Sequence, residues 1–123
     1  MSTAVKIGSD GTTEVIEYDV KDTLKVLQDA VSSGRSPSYI EAIRGVTVGD
    51  LEFDMWVNEE GRLYGFDVNP IATRLTDACF THAPEVVGDI VITGLTNRKG
   101  DITSLPDRHA EVIVAFAALH HLI

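Results

Sequence analysis

Apolar residues recur along the chain in two rhythms: every second residue in some segments, typical of strands, and every third or fourth in others, typical of helices. Val5 and Ile7 alternate with smaller or polar residues, and a β-favouring run at 12–18 follows a turn that contains Gly8 and Gly11. Two such runs around a turn rich in Gly and Asp predict a β-hairpin.

The clearest strand covers residues 51–57. Large apolar residues take every second position and alternate there with carboxylates and a tryptophan: Leu51, Phe53, Met55 and Val57 against Glu52, Asp54 and Trp56. This alternation predicts one buried face and one open face. Further strands are predicted at 39–43, at 63–66 as the hairpin partner of 51–57, and at 90–95, where the apolar run favours burial on both faces.

Three segments carry the helical rhythm. Asp19 is predicted to cap a helix that ends at Gly34 and Pro37, with an apolar stripe made of Val20, Leu24, Leu27 and Val31. Asn69 and Pro70 have the order expected of a cap and a first-turn proline, ahead of a face shared by Ile71, Leu75 and Cys79. Ser104 and Asp107 stand at capping-box spacing before a third helix, whose stripe is Val112, Phe116, Leu119 and Ile123.

These elements predict one α+β domain over residues 1–123, with a small mixed or antiparallel sheet built from hairpins and two or three helices packed on it. The last helix is apolar nearly all round. Val114, Ala115 and Ala118 fall outside its core stripe, and an all-apolar helix indicates burial on two sides. We therefore expect these three residues to form an oligomer interface, most simply that of a homodimer.

The open face of the 51–57 strand is the most suggestive candidate surface. If its alternate residues point inward, Trp56 points outward between Glu52 and Asp54, and an exposed tryptophan is a common interface anchor. Glu59, in the turn that follows, adds a further carboxylate. These four residues are the predicted partner-binding set. The alternative is that the last helix or a partner strand covers the indole as ordinary core.

The predicted helix start at Asn69, with Thr73 and Arg74 in its first turns, is a candidate anion site for a nucleotide or another phosphate. Free amides, a hydroxyl and a guanidinium would meet there. The alternative interpretation is simple helix capping, because no Gly-rich loop accompanies these residues.

The sequence offers no other chemistry. Cys79 and His82 have half of a zinc-ligand spacing without the second half, so no metal and no cofactor is predicted, and no nucleophile elbow predicts catalysis. The formal net charge of −9 disfavours direct binding to nucleic acid or an anionic membrane. A single cysteine and the lack of a basic, apolar leader favour the cytoplasm.

Five segments resemble a family of small proteins carried mostly by bacteriophages and other mobile elements and known as a domain of unknown function. They are Tyr39-Ile-Glu-Ala-Ile43, Met55-Trp-Val-Asn-Glu-Glu-Gly61, Asn69-Pro-Ile-Ala-Thr73, Gly88-Asp-Ile-Val-Ile-Thr-Gly94 and Asp101-Ile-Thr-Ser-Leu105. They span most of residues 14–114. The resemblance implies an α+β fold and a phage origin, with the host cytoplasm as location, and carries over no catalytic residue.

The leading hypothesis is a non-catalytic interaction module of phage type that engages a host protein, to redirect metabolism or counter a defence system. One alternative is a small-molecule binder that sequesters a nucleotide through Asn69, Thr73 and Arg74. The other is a small enzyme, which would need a concave pocket with a histidine or carboxylate of perturbed pKa.

Overall fold

Five strands form one antiparallel sheet. The computed structural model describes residues 1–35 and 39–121; Pro37 and Ile123, given roles above, lie outside them. The strands are β1 (Ser2–Ile7), β2 (Thr13–Tyr18), β3 (Ile40–Val48), β4 (Leu51–Asn58) and β5 (Ile90–Thr93), and the helices are α1 (Thr23–Ala30), α2 (Pro70–Asp77) and α3 (Asp107–His121). The strand order is β2-β1-β5-β4-β3, and every neighbouring pair is antiparallel. The predicted α+β class is confirmed.

Helices cover both faces of the sheet. On one face α2 and α3 bury Ile71, Leu75 and Ile113 against the sheet, in a cluster that includes Phe53 and Met55. On the other face α1 packs in a second cluster with Leu27, Ala30, Val31, Ala4 and Val91. All four residues of β5 are buried, as predicted for that segment. Its side chains alternate between the two clusters because it is the central strand.

The predicted strand at 63–66 is wrong. The chain turns there instead, with Tyr64 N donating to Glu60 O (3.0 Å) and Phe66 N donating to Gly61 O (3.0 Å). The physical reason is that β3 and β5 already occupy the two edges of β4, so this strand has no free edge for a hairpin partner.

The first helix keeps its predicted cap but not its whole stripe. Asp19 accepts a hydrogen bond from Lys21 N (3.1 Å), as a cap should. It opens a 3₁₀ turn at Val20–Asp22 before α1 begins. A 3₁₀ helix has three residues per turn, whereas an α-helix has 3.6. The apolar residues predicted from the α-helical period therefore do not all fall on one face. Leu27 is buried, whereas Val20 and Leu24 are 66% and 57% exposed.

The last helix also packs differently from its predicted stripe. Ala110, Ile113 and Ala117 face the sheet, and Leu119 is 62% exposed. The spacing of three and four residues is helical as expected, but small alanines, which let the helix lie close to the sheet, define the buried face. The predicted capping box is absent, because Ser104 Oγ accepts a hydrogen bond from Thr3 N (2.9 Å) instead.

Candidate functional site

Trp56 lies inside the protein, so the prediction that it is exposed is wrong. Its side chain is 8% exposed and belongs to the cluster beneath α1. The indole Nε1 donates to Thr93 Oγ1 at 2.9 Å. The alternation in β4 correctly identified the residues that face α2 and α3. It could not show that α1, from a distant part of the chain, covers the opposite face.

Asp54 is also buried, at 2% exposure. Its carboxylate accepts hydrogen bonds from Gly45 N (3.2 Å), Thr96 N (2.9 Å) and Thr96 Oγ1 (2.9 Å). Gly45 has a φ of 70° and stands in the irregularity between Ile43 and Val46 of β3, so Asp54 fastens a β-bulge to the loop after β5. Of the predicted partner-binding set, only Glu52 and Glu59 are exposed, and no surface joins the four residues.

Asn69, at the start of α2, has no free donor to offer a ligand. Asn69 is fully buried and caps the helix by accepting from Ala72 N at 3.1 Å. Its amide nitrogen donates to Ile7 O (3.0 Å) and Gly88 O (2.9 Å), so both of its side-chain donors serve the fold. Thr73 Oγ1 accepts from Val86 N at 3.0 Å. Arg74 is exposed. The capping interpretation describes this geometry, in which Asn69 has no side-chain donor left for an anion.

The residues predicted to form an oligomer interface lie at one site. Val114, Ala115 and Ala118 line a groove of about 490 Å³ between α3 and the strands β1 and β2, with Val15 across from them. Ala115 and Ala118 are exposed, and Val15 is 53% exposed. The helix therefore buries one apolar side on the sheet and leaves the other open. We call this feature the α3–β2 groove.

Three carboxylates form the polar rim of the α3–β2 groove: Glu17, Asp107 and Glu111. All three are exposed. Among the described residues that line the groove there is no lysine or arginine. Among residues 1–35 and 39–121, ion pairs join Lys6 to Asp89 and Arg108 to Asp50, and neither neutralises this rim. The site is thus an apolar floor with three carboxylates at the end where α3 begins.

A second and larger cavity, of about 590 Å³, lies between the β3–β4 layer and the loop at 80–87. Ile43, Val57 and Val86 give it an apolar floor. Its charged groups are of both signs, namely Arg44, Arg62, Glu41, Glu59 and Glu85, and His82 lies beside them. Arg62 donates to Glu85 O and so ties the loop to the turn after β4.

The loop beside this larger cavity presents unused hydrogen-bond donors. Within the described ranges, the backbone amides of Thr81, His82, Ala83 and Glu85 donate to no backbone carbonyl. His82 takes a left-handed conformation with a φ of 59°, which is uncommon outside glycine. This cavity could accept a small molecule with an apolar body and an anionic group.

Cys79 has a packing role. Its Sγ lies 3.1 Å from both Thr47 N and Thr47 O and joins the end of α2 to β3. No group of three or more His, Cys, Asp or Glu side chains in the described segments is placed to hold a metal ion. No helix in those segments has the length and apolar character needed to cross a membrane.

Sequence reasoning missed two elements of these sites. Val15 is one β-favouring residue among several, and only the strand order shows that β2 is an edge beside a helix. The larger cavity combines residues 41–44, 57–62 and 76–87. No local pattern marks these segments as neighbours; the one available signal was the mixture of charged and apolar residues at 80–87.

The fold and the groove define a small α+β protein with an apolar, acid-rimmed surface and no metal cluster among its described residues. The chain belongs to the family described as a domain of unknown function (DUF3846), whose model matches residues 2–117. The resemblance noted in the sequence is confirmed at this level, and the match extends beyond both ends of residues 14–114. No curated protein and no solved structure matches the chain.

Proposed function

We propose that this protein is a non-catalytic interaction module that binds a basic partner protein through the α3–β2 groove. The observation that carries the proposal is an open apolar groove whose charged rim is entirely acidic. Exposed apolar surface surrounded by polar residues is characteristic of interaction sites. A rim of one sign attracts the opposite sign, raises the association rate and excludes partners of like charge.

The partner we propose is a host protein in the cytoplasm of a cell that carries the phage or mobile element. The support is the resemblance of the five segments to phage-borne proteins, together with the net charge of −9. An acidic domain of this kind suits a basic protein surface, including one that normally holds DNA. Such binding would redirect host metabolism or block a defence system.

A homodimer through Val114, Ala115 and Ala118 is the competing proposal for the same groove. Two copies joined there would bring two acidic rims together, which opposes association at low salt. Light scattering distinguishes the two proposals. A monomer at low salt agrees with a heterologous basic partner, whereas a wild-type dimer that Val114→Asn and Ala118→Asn dissociate would assign the groove to self-association.

The proposed function is tested by charge reversal and capture from host lysate. The double variant Glu17→Lys and Glu111→Lys should lower recovery of the specific partner about tenfold, equivalent to about 1.4 kcal/mol. Glu52→Lys with Glu59→Lys makes the same charge change at two exposed residues outside the groove and should leave recovery unchanged. Equal loss in both variants, or no loss in either, would show that the groove is not the binding surface.

The larger cavity favours a second candidate function, sequestration of a small molecule such as a nucleotide. Its support is the volume, the apolar floor and the unbonded amides beside Arg44 and Arg62. A ligand at a hundredfold its dissociation constant stabilises the folded state by about 2.7 kcal/mol. A nucleotide panel should therefore raise the melting temperature of the wild type but not of Arg44→Gln. An unchanged melting temperature of the wild type across the panel would exclude this candidate.

A catalytic role stays a prediction with no residue assigned to it.

A further inference from the structure

The outer edge of β2 carries backbone groups that pair with no other strand in the described part of the chain. β2 is the last strand on its side of the sheet and pairs with β1 through partners such as Ile7 with Thr13 and Val5 with Val15. Gly8 N donates to Thr12 O at 2.8 Å, which makes Gly8 and Thr12 a hydrogen-bonded pair in this register. Bonded and non-bonded pairs alternate along an antiparallel ladder. The N–H and C=O groups of residues 13, 15 and 17 therefore point away from β1.

The side chains of the same three residues lie on the face of the sheet that α2 and α3 cover. Val15 is opposite Val5, whose side chain lies in the cluster under α2 and α3, so both occupy that face of the sheet. Val15 and Glu17 line the α3–β2 groove with Ala115 and Ala118. Open backbone and groove-facing side chains therefore coincide on one strand. A strand laid beside β2 would place every second side chain over the exposed alanines of α3.

The edge has few of the features that usually block strand addition. β2 contains no proline, no lysine and no bulge, which are the common protective devices. Its charged residues are Glu14 and Glu17, one on each face. They repel an acidic strand, including the β2 of a second copy, and attract a basic one. The edge therefore favours a basic strand and disfavours an acidic one.

We propose that an extended segment of the partner adds to β2 as a sixth strand, with small apolar residues alternating with Lys or Arg. Main-chain hydrogen bonds to Thr13, Val15 and Glu17 would supply affinity, as in other cases of β-strand addition. The apolar residues lie on the groove face and cover Val15, Ala115 and Ala118, and the basic residues lie on the opposite face of the sheet, where they meet Glu14. This inference rests on the proposed function and specifies the partner element that the groove receives.

The first experiment uses a blocked peptide of about eight residues that alternates Lys and Val, and two derivatives N-methylated at either the even or the odd positions. Only one set of amides faces β2 in a sixth strand. We expect one derivative to bind within about threefold of the parent and the other to bind at least about tenfold more weakly. Equal weakening of both, or of neither, would overturn strand addition.

The second experiment changes the protein. Val15→Pro removes an N–H that points outward, so the β1–β2 pairing survives, because proline is tolerated at such edge positions. Val15→Thr is the control, since it keeps the N–H and the β-branched shape. Peptide affinity should fall at least about tenfold in the first and stay within about threefold in the second. Circular dichroism checks that both fold, and slowed exchange of the amide of residue 15, but not of residue 16, in the wild-type complex is the expected signature.

The outcome separates this inference from the proposed function. A helical peptide of the same Lys and Val content that binds, while the strand peptide does not, leaves the groove as an interaction site and overturns strand addition. Strand addition is also overturned, and the groove remains an interaction site, if no peptide binds but reversal of Glu17 and Glu111 still abolishes capture of the host partner. If charge reversal also has no effect, both proposals are wrong.

Discussion

Replacement of Trp56 tests whether the indole is core or interface. Its side chain is 8% exposed, so folding removes most of the roughly 200 Å² that a tryptophan offers. At about 25 cal/mol per Å² this burial contributes about 5 kcal/mol, an upper value because the unfolded chain already shields part of that surface. Trp56→Ala should therefore destabilise the fold by about 3–5 kcal/mol, in the range measured for large aromatic residues in cores.

A gentler variant keeps the test informative if the alanine variant fails to fold. Trp56→Phe retains an aromatic ring but loses the bond from Nε1 to Thr93 Oγ1, at a cost of about 1–2 kcal/mol. Leu63→Ala is the control, since that side chain is 78% exposed and should change stability by less than about 0.5 kcal/mol.

Urea unfolding followed by circular dichroism measures all three variants. Trp56 is the only tryptophan in the chain, so its fluorescence in the wild type reports this site alone. Emission typical of an apolar environment and weak quenching by acrylamide are expected. Strong quenching, together with an alanine variant as stable as Leu63→Ala, would show that Trp56 is exposed and that the burial argument is wrong.

Three further predictions concern buried polar groups. Asn69→Ala removes a helix cap and two donors, so unfolding in urea should show a loss of about 2–4 kcal/mol; a loss below about 0.5 kcal/mol would contradict the bonds assigned to it. Asp54→Ala leaves donors of Gly45 and Thr96 unpaired, and the same measurement should show a loss of about 1–3 kcal/mol, with protection from amide exchange reduced first at Gly45. Burial raises the pKa of Tyr18 above its ordinary value of 10.0, against a smaller lowering by the Thr23 hydroxyl. The folded state therefore holds this proton more tightly, so the associated stability is complete below pH 10 and is lost as the pH rises through the raised pKa. In alkaline titrations Tyr18→Phe should lose less stability above pH 10 than the wild type; identical curves would show that Tyr18 does not contribute.

The sequence predicted most elements because the signals for them are local. The alternation in 51–57, the turn before 12–18 and the caps at Asp19 and Asn69 each involve side chains and backbone a few residues apart. The structure confirms the strand, the turn and both caps, although the face of the strand that was predicted to be open is largely covered. The α+β class followed from the order of these elements, whereas the choice between a mixed and an antiparallel sheet was left open, and the structure shows that the sheet is antiparallel.

The errors arose where the deciding contact is remote in sequence. Ser104 lacks a capping role because its hydroxyl bonds to Thr3, 101 residues away. Asn69 lacks a free amide because Ile7, 62 residues away, accepts from it. The strand expected at 63–66 is missing because β5 takes the edge of β4.

For the candidate site too, local sequence signals determined some features and contacts remote in sequence determined others. The sequence alone determined that the last helix has more apolar surface than one contact can bury, since its composition is apolar nearly all round. Val114, Ala115 and Ala118 were identified on that basis. Only the tertiary structure decided that Trp56 is covered, that β2 is an edge, and that Glu17, Asp107 and Glu111 line one groove. Periodicity specifies which side of an element is apolar, whereas the covering of that side depends on packing between segments distant in the chain.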